Sequence, residues 1–350
     1  MNLLFRLLGV TAGLLISLWS SQAHADYERH FDVELRPGVT STLRVVVREN
    51  ARHRGRCSGP TLAFVHGLSH SAATWNPLVD ELFGNGRRGA ACKALLIDLP
   101  GHGASSLPTG MAYGELLVDD YVTATGAALD ELRALGLRPA ALVGHSMGGL
   151  IVEGLQARLL ANGSSLARRY GIRSVALLSP SAAAEQPWQL AESGVAATLV
   201  GTFLAVDPLK GLVVHLDAPT WGFLFFTTLA DVPSPGTPSP AEIEALGYDV
   251  DEAGYAGAEV VGAPPFARLS VGARPFDPRY GTRLTLVSPS QDKFSQRDEA
   301  RAAYVQLTGD TRLSGFTPVD DDYAVHDMHV ADPHRYFSLA LQGFLGTCGP

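Results

Sequence analysis

Two kinds of hydrophobic pattern run along the chain. Near its start, FDVEL (31–35) and TSTLRVVV (40–47) alternate apolar and polar positions around the turn pair Pro37 and Gly38. Successive side chains of a strand point to opposite faces, so this alternation predicts an antiparallel hairpin with one face buried. Further on, the apolar positions become continuous: LAFV (62–65), ALLI (94–97), ALVG (141–144), SVALLS (174–179) and LTLVS (284–288). Short, unbroken apolar runs suit strands covered on both faces, and the spacing between them leaves room for helices. The fold class predicted is α/β, with a central, mostly parallel sheet and helices on both faces.

A helix is predicted over Leu150–Leu160, where Leu150, Val152, Leu155, Leu159 and Leu160 share an apolar sector and Asn162-Gly163 supplies the stop. QRDEARAAY (296–304) also reads as helix. Between SVALLS and LTLVS lies a connection near 100 residues long, far beyond an ordinary loop, which predicts an inserted folded module over 181–277. The module carries the apolar runs GVAATLVGTFLAV and WGFLFFTTLA, then VPSPGTPSP, which can continue neither a helix nor a central strand. The apolar runs suit either the module's own core or a surface for a hydrophobic substrate. The division expected is 1–25 leader, 26–180 first part of the core, 181–277 cap and 278–350 second part of the core.

Composition narrows the picture. The 350 residues are 46% hydrophobic and 18% charged, a globular balance, and the net charge of −8 supplies no general attraction for nucleic acid or an anionic membrane. At the N-terminus, Arg6 precedes the apolar run Leu7–Trp19 and the small-residue pattern Ala23-His24-Ala25. That is the pattern of a secretory signal, and the run is short for a membrane span, so export to the periplasm or outside the cell is expected, without stable membrane insertion. Of the three cysteines, Cys57 and Cys92 each precede a strand candidate; if those strands are parallel neighbours, the two could pair in an oxidising compartment, which leaves Cys348 over. Asn162-Gly163-Ser164 is a formal glycosylation sequon at a helix end.

The chemistry-bearing segment is Gly144-His145-Ser146-Met147-Gly148-Gly149, between a predicted strand and a predicted helix. Its glycines permit a sharp turn that lifts Ser146 above the sheet. Together with His66-Gly67 after LAFV and DLPGHG (98–103) after ALLI, this segment resembles the α/β-hydrolase superfamily, specifically its serine-nucleophile, esterase- and lipase-like branch with an enlarged cap. The resemblance spans most of the chain beyond the leader; the cap region is its least informative part.

The resemblance implies Ser146 as nucleophile and the backbone amides of Leu68 and Met147 as an oxyanion hole. It places the acid at Asp292, in the loop leaving LTLVS, ahead of Asp298, which sits in a helical pattern. The base falls in VHDMHVADPHRYF: His326 fits the family's spacing to Pro333, His329 is the alternative, and His334 belongs with the terminal helix. His66, His102 and His145 are expected to shape turns or the pocket wall, Asp98 to fix the DLPGHG loop, and Trp75 to pack the next helix.

The implied activity is serine acyl transfer on a small molecule with a hydrophobic acyl portion, a carboxylic ester first, with amides or peptides, thioesters, lactones and carbon-carbon bonds as alternatives. A non-catalytic ligand-binding protein is the reading from another class. No cofactor is expected. No metal is expected either, because the spacings His66/His70 and His326/His329 come without an HExxH motif or a cysteine-rich ligand set.

Overall fold

The computed structural model describes residues 26–50, 59–67, 70–84, 91–111, 116–180, 274–292, 297–320 and 324–336. The signal-like leader, Cys57, Leu68, nearly all of the proposed cap and Cys348 lie outside them.

The predicted hairpin is formed by β1 (Tyr27–Arg36) and β2 (Val39–Glu49), paired antiparallel. Six more strands follow: β3 (Thr61–Val65), β4 (Lys93–Ile97), β5 (Ala141–His145), β6 (Ser174–Leu178), β7 (Arg283–Pro289) and β8 (Phe316–Val319). The eight strands form one sheet in the order β1-β2-β4-β3-β5-β6-β7-β8, parallel from β4 through β8. The five apolar runs are all strands of this sheet. β8 had no signature, because FTPV is short, carries a proline and keeps only Val319 buried.

Continuous hydrophobicity in these strands has a geometric cause. Ala63, Val65, Leu95, Ile97, Leu142, Val175 and Leu177 face one core, and their alternates Leu62, Phe64, Ala94, Leu96, Val143, Ala176 and Leu178 face another. The first core is closed by α2 (Val118–Ala134), α3 (Met147–Ala161), α4 (Leu166–Tyr170) and α5 (Arg297–Thr308). The second is closed by α1 (Asn76–Gly84), the 3₁₀ turn Ala72–Trp75, α6 (Met328–Ala331) and α7 (Pro333–Tyr336). Each large apolar side chain buried there contributes about 1.5–3 kcal/mol relative to exposure.

The helix predicted from Leu150 begins three residues earlier, at Met147. It starts directly behind Ser146, because Gly148 and Gly149 sit on its first turn against β3 and Pro180. Glycine there serves close packing and does not break the helix.

Candidate active site

Ser146 occupies the junction of β5 and α3 with φ 50° and ψ −121°, a left-handed conformation unusual for a residue with a Cβ. Such a backbone costs on the order of 1–3 kcal/mol and persists where surrounding structure dictates it. Two hydrogen bonds and two close backbone approaches do so. The Ser146 amide donates to the Leu178 carbonyl at 3.0 Å, and the Ser146 carbonyl accepts from the Gly149 amide at 2.9 Å. A Cβ at Gly148 would lie 2.2 Å from the Val65 carbonyl oxygen, and one at Gly144 would lie 2.6 Å from that of Gly148. Only glycines allow α3 to start this close to β3.

Met147 is the first residue of α3, so its amide belongs to the set with no acceptor within the helix. Gly67 passes over the same corner: a Cβ there would sit 3.1 Å from the Ser146 Cβ. Leu68, expected as the second amide donor, is the next residue and lies outside the described ones.

Asp292 follows the end of β7, and His326 follows β8. Their loops are zipped by two backbone bonds, Ser290 amide to Val319 carbonyl at 2.9 Å and Gln291 amide to Ala324 carbonyl at 2.8 Å. This pairing sets the side chains in register, and His326 Nδ1 lies 3.0 and 3.1 Å from the two Asp292 carboxylate oxygens. Burial pulls the His326 pKa down, but the Asp292 charge and its hydrogen bond more than offset this, so the net shift is upward, with Asp327 adding to it. Asp298 sits in the first turn of α5, the helix its pattern predicted.

His329, the alternative base, is placed differently. Its ring packs on Trp75 at 4.7 Å and on His145 at 4.3 Å between centroids, and Nε2 is buried without a hydrogen bond. Burial lowers its pKa to about 3. Trp75, expected to pack the following helix, is itself fully buried, with its ring also 5.0 Å from that of Phe64. His334 lies in α7, exposed, with Nδ1 3.1 Å from Glu81.

The remaining motif histidines and Asp98 brace the strand ends. His66 Nε2 accepts from the Leu99 amide at 3.0 Å and Nδ1 donates to the Gly67 carbonyl at 2.8 Å, which ties the loops after β3 and β4 together. Burial holds this imidazole well below its ordinary pKa. His102 Nδ1 lies 3.0 Å from the Pro100 carbonyl. Asp98 accepts from the amides of Ala72 at 2.6 Å and Ala104 at 3.2 Å and pairs with Arg44 at 3.0 Å, so it fixes the DLPGHG loop as expected.

A second buried cluster, which sequence reasoning passed over, lies behind His326. Asp327 Oδ1 is 3.3 Å from His70 Nε2 and 3.2 Å from His145 Nε2. His145 Nε2 also reaches the His326 carbonyl at 3.0 Å, joined there by Ser179 Oγ at 3.1 Å. The signal was in the sequence, as the dipeptide His326-Asp327 and as His70, but nothing along the chain indicated that they would meet. Ring nitrogens of His70, His145 and His329 lie within 4.8 Å of one another, as do donor atoms of His145, His326 and Asp327. Either trio has the reach to hold a metal ion, but two of these imidazoles already use Nε2 toward Asp327.

The parallel sheet and the tight strand-serine-helix junction at its centre define an α/β protein with a nucleophile-elbow type of turn. The chain belongs to the alpha/beta hydrolase family, whose model matches residues 62–339.

Among curated relatives, it is 30% identical over 117 residues to an (E)-2-((N-methylformamido)methylene)succinate hydrolase of Acinetobacter baylyi, covering 33% of this chain and 40% of that protein. It is 34% identical over 125 residues to a 2-succinyl-6-hydroxy-2,4-cyclohexadiene-1-carboxylate synthase of Yersinia pestis, with the same coverage of 33% and 40%. These matches therefore span well under half of either relative. Among solved structures, a putative lipase from Acinetobacter baumannii superposes with TM-score 0.58 at 17% identity, covering 92% of both chains. An N-acyl homoserine lactonase superposes with TM-score 0.55 at 17% identity, covering 92% of this chain and 98% of that one. Likeness at that identity speaks for the fold alone.

Proposed function

We propose that the protein is an exported serine hydrolase that cleaves a carboxylic ester through an acyl-enzyme intermediate. The observation that carries this reading is the strained turn at Ser146 on a sheet whose adjoining loops hold His326 paired with Asp292. In this mechanism His326 takes the Ser146 proton as the Oγ attacks the ester carbonyl carbon. The negative charge formed on the carbonyl oxygen is met by the amides of Met147 and Leu68. The C–O bond to the alcohol breaks as His326 passes its proton to the departing oxygen. Water then gives a proton to His326, attacks the acyl carbon and releases the acid, and Ser146 recovers its proton. Asp292 keeps the imidazole oriented and stabilises its cationic form. An ester is preferred to an amide because an alkoxide leaves with less help than an amide nitrogen.

The lactonase among the structural neighbours keeps lactone opening among the alternatives, beside carbon-carbon bonds, amides and thioesters. The substrate is a small molecule with a hydrophobic acyl portion, which residues 181–277 would cover as a cap. Among the described residues, no helix is long and apolar enough to cross a membrane. Export rests on the leader-like residues 1–25. A Cys57–Cys92 disulfide fits the same compartment: the Cys92 amide bonds the Pro60 carbonyl at 2.9 Å, three residues along from Cys57. Mass spectrometry of the exported protein after alkylation tests that bond and the cleavage after Ala25 together.

The deciding experiment is a panel of esters, lactones, thioesters and amides turned over by the wild type and by Ser146→Ala, with fluorophosphonate labelling of the serine. Ester turnover lost in Ser146→Ala supports the proposal. An unlabelled Ser146, with ligand binding unchanged in the variant, would establish a binding protein instead.

A further inference from the structure

We propose that Asp327 is a positioning residue for the base, holding the His326 imidazole in place through His145. The inference rests on the reading of His326 as the base.

Asp327 is fully buried, and its neighbours explain how a carboxylate is kept there. Burial alone would raise its pKa, yet His70 and His145 outweigh this and hold it well below the usual carboxylate range. His145 is the connecting piece. Its Nε2–H bonds the His326 carbonyl at 3.0 Å and Nε2 lies 3.2 Å from an Asp327 carboxylate oxygen, while its Nδ1 is buried and accepts nothing. The Nε2–H tautomer accounts for all three observations. Because His145 immediately precedes Ser146 on β5, one imidazole links the strand that carries the nucleophile to the backbone of the base.

The clamp has a second donor. Ser179, at the end of β6, also takes a left-handed backbone with φ 44°, and its hydroxyl donates to the same His326 carbonyl at 3.1 Å. The base loop is thus pinned from the ends of β5, which leads into Ser146, and of its neighbour β6. Asp327 orients His145 for this task, as a carboxylate orients an imidazole in other buried pairs.

Among the described residues, the titratable groups around His326 are Asp292 on the loop after β7, Asp327 beside it in sequence, His145 on β5, and His329 on α6, with His70 beyond Asp327. The carboxylates are the two groups that favour a proton on His326. Asp292 touches the ring; Asp327 acts through space and through His145.

The test follows the rate of Ser146 labelling by a fluorophosphonate against pH, which needs no known substrate, in the full-length wild type and in Asp327→Asn. Asparagine keeps the shape and removes the charge. The plateau rate should fall about tenfold as the geometry loosens, and the acid-side midpoint of the profile should move to lower pH. Asp327→Glu, which restores the charge, should bring the midpoint back even if its extra methylene costs rate.

A profile of Asp327→Asn that matches the wild type, or a lower plateau with an unmoved midpoint, would overturn the proposal, the second result marking a structural role only. Should Asp327→Asn not fold, Asp327→Ser, with room for a water where the carboxylate stood, carries the same two expectations. A wild type whose Ser146 takes no label at all would instead bring down the serine-hydrolase reading, and this inference with it.

Discussion

His326 Nδ1 sits almost equally far from both oxygens of Asp292, at 3.0 and 3.1 Å, with both side chains shielded from solvent. An imidazole gripped in this way has its tautomer set, with the proton on Nδ1 and the lone pair on Nε2. The upward pKa shift that accompanies the pair means that the neutral, proton-accepting form is reached only above the ordinary histidine value.

Asp292→Asn should therefore reduce ester turnover by about 10³–10⁴-fold, since an amide can hold the ring in the wrong tautomer and cannot stabilise its cation. The same variant should shift the acid side of the pH-rate profile downward. A variant within tenfold of wild type in kcat would remove Asp292 from the site.

The two candidate bases separate cleanly by substitution. His326→Ala should abolish Ser146 labelling, whereas His329→Phe should retain it, because the His329 ring lies among Trp75 and His145 and Phe fills the same space. The reverse result would transfer the role to His329.

His329→Phe also carries a stability signature. With a folded pKa near 3 against about 6.5 unfolded, His329 stays neutral in the fold over a range where the unfolded chain takes up a proton. The sign follows: the neutral histidine costs nothing above pH 6.5, and its burial destabilises increasingly as pH falls from there toward 3, by up to about 1.4 kcal/mol per pH unit. The stability of His329→Phe relative to wild type, followed by denaturant unfolding, should rise between pH 7 and pH 5. A constant difference would show that His329 titrates normally.

Glu153 titrates with the opposite slope. On α3, seven residues past Ser146, its carboxyl is fully buried with neither oxygen hydrogen-bonded, and burial raises its pKa to about 8. The fold thus keeps a proton that the unfolded chain loses above the ordinary glutamate value of 4.5, so stability declines as pH rises from there to about 8. Glu153→Gln should stabilise the protein by about 3 kcal/mol at pH 7, with the gain shrinking toward pH 5. Equal stability of the two proteins at both pH values would contradict the buried, protonated state.

Gly148→Ala tests the elbow sterically. A methyl group 2.2 Å from the Val65 carbonyl forces α3 off β3, so a loss of about 3 kcal/mol is expected in chemical denaturation, with Ser146 labelling impaired. Near-wild-type stability would mean the turn is looser than its geometry implies.

Much of this was legible along the chain. Five strands announced themselves as apolar runs because both faces of a parallel sheet are buried, and the hairpin did so because β1 keeps its alternate positions exposed. The glycines around Ser146 marked a turn that excludes other residues. β8 was silent, since an edge strand of four residues buries too little to leave a pattern. The pairing of His70 with Asp327 escaped notice for another reason: 257 positions separate them, and their partnership exists only where the loop after β3 meets the loop after β8.

The order of apolar runs and small residues by itself determined the sheet, its class and the place of the sharp turn, because solvent exclusion and backbone sterics act on neighbours in the chain. Which imidazole faces Asp292, which packs on Trp75, and which carboxylate is buried behind the base were decided by tertiary structure alone. Hydrogen bonds and charges act over a few ångströms in space, and only the folded sheet brings the ends of β3, β5, β6, β7 and β8 that close.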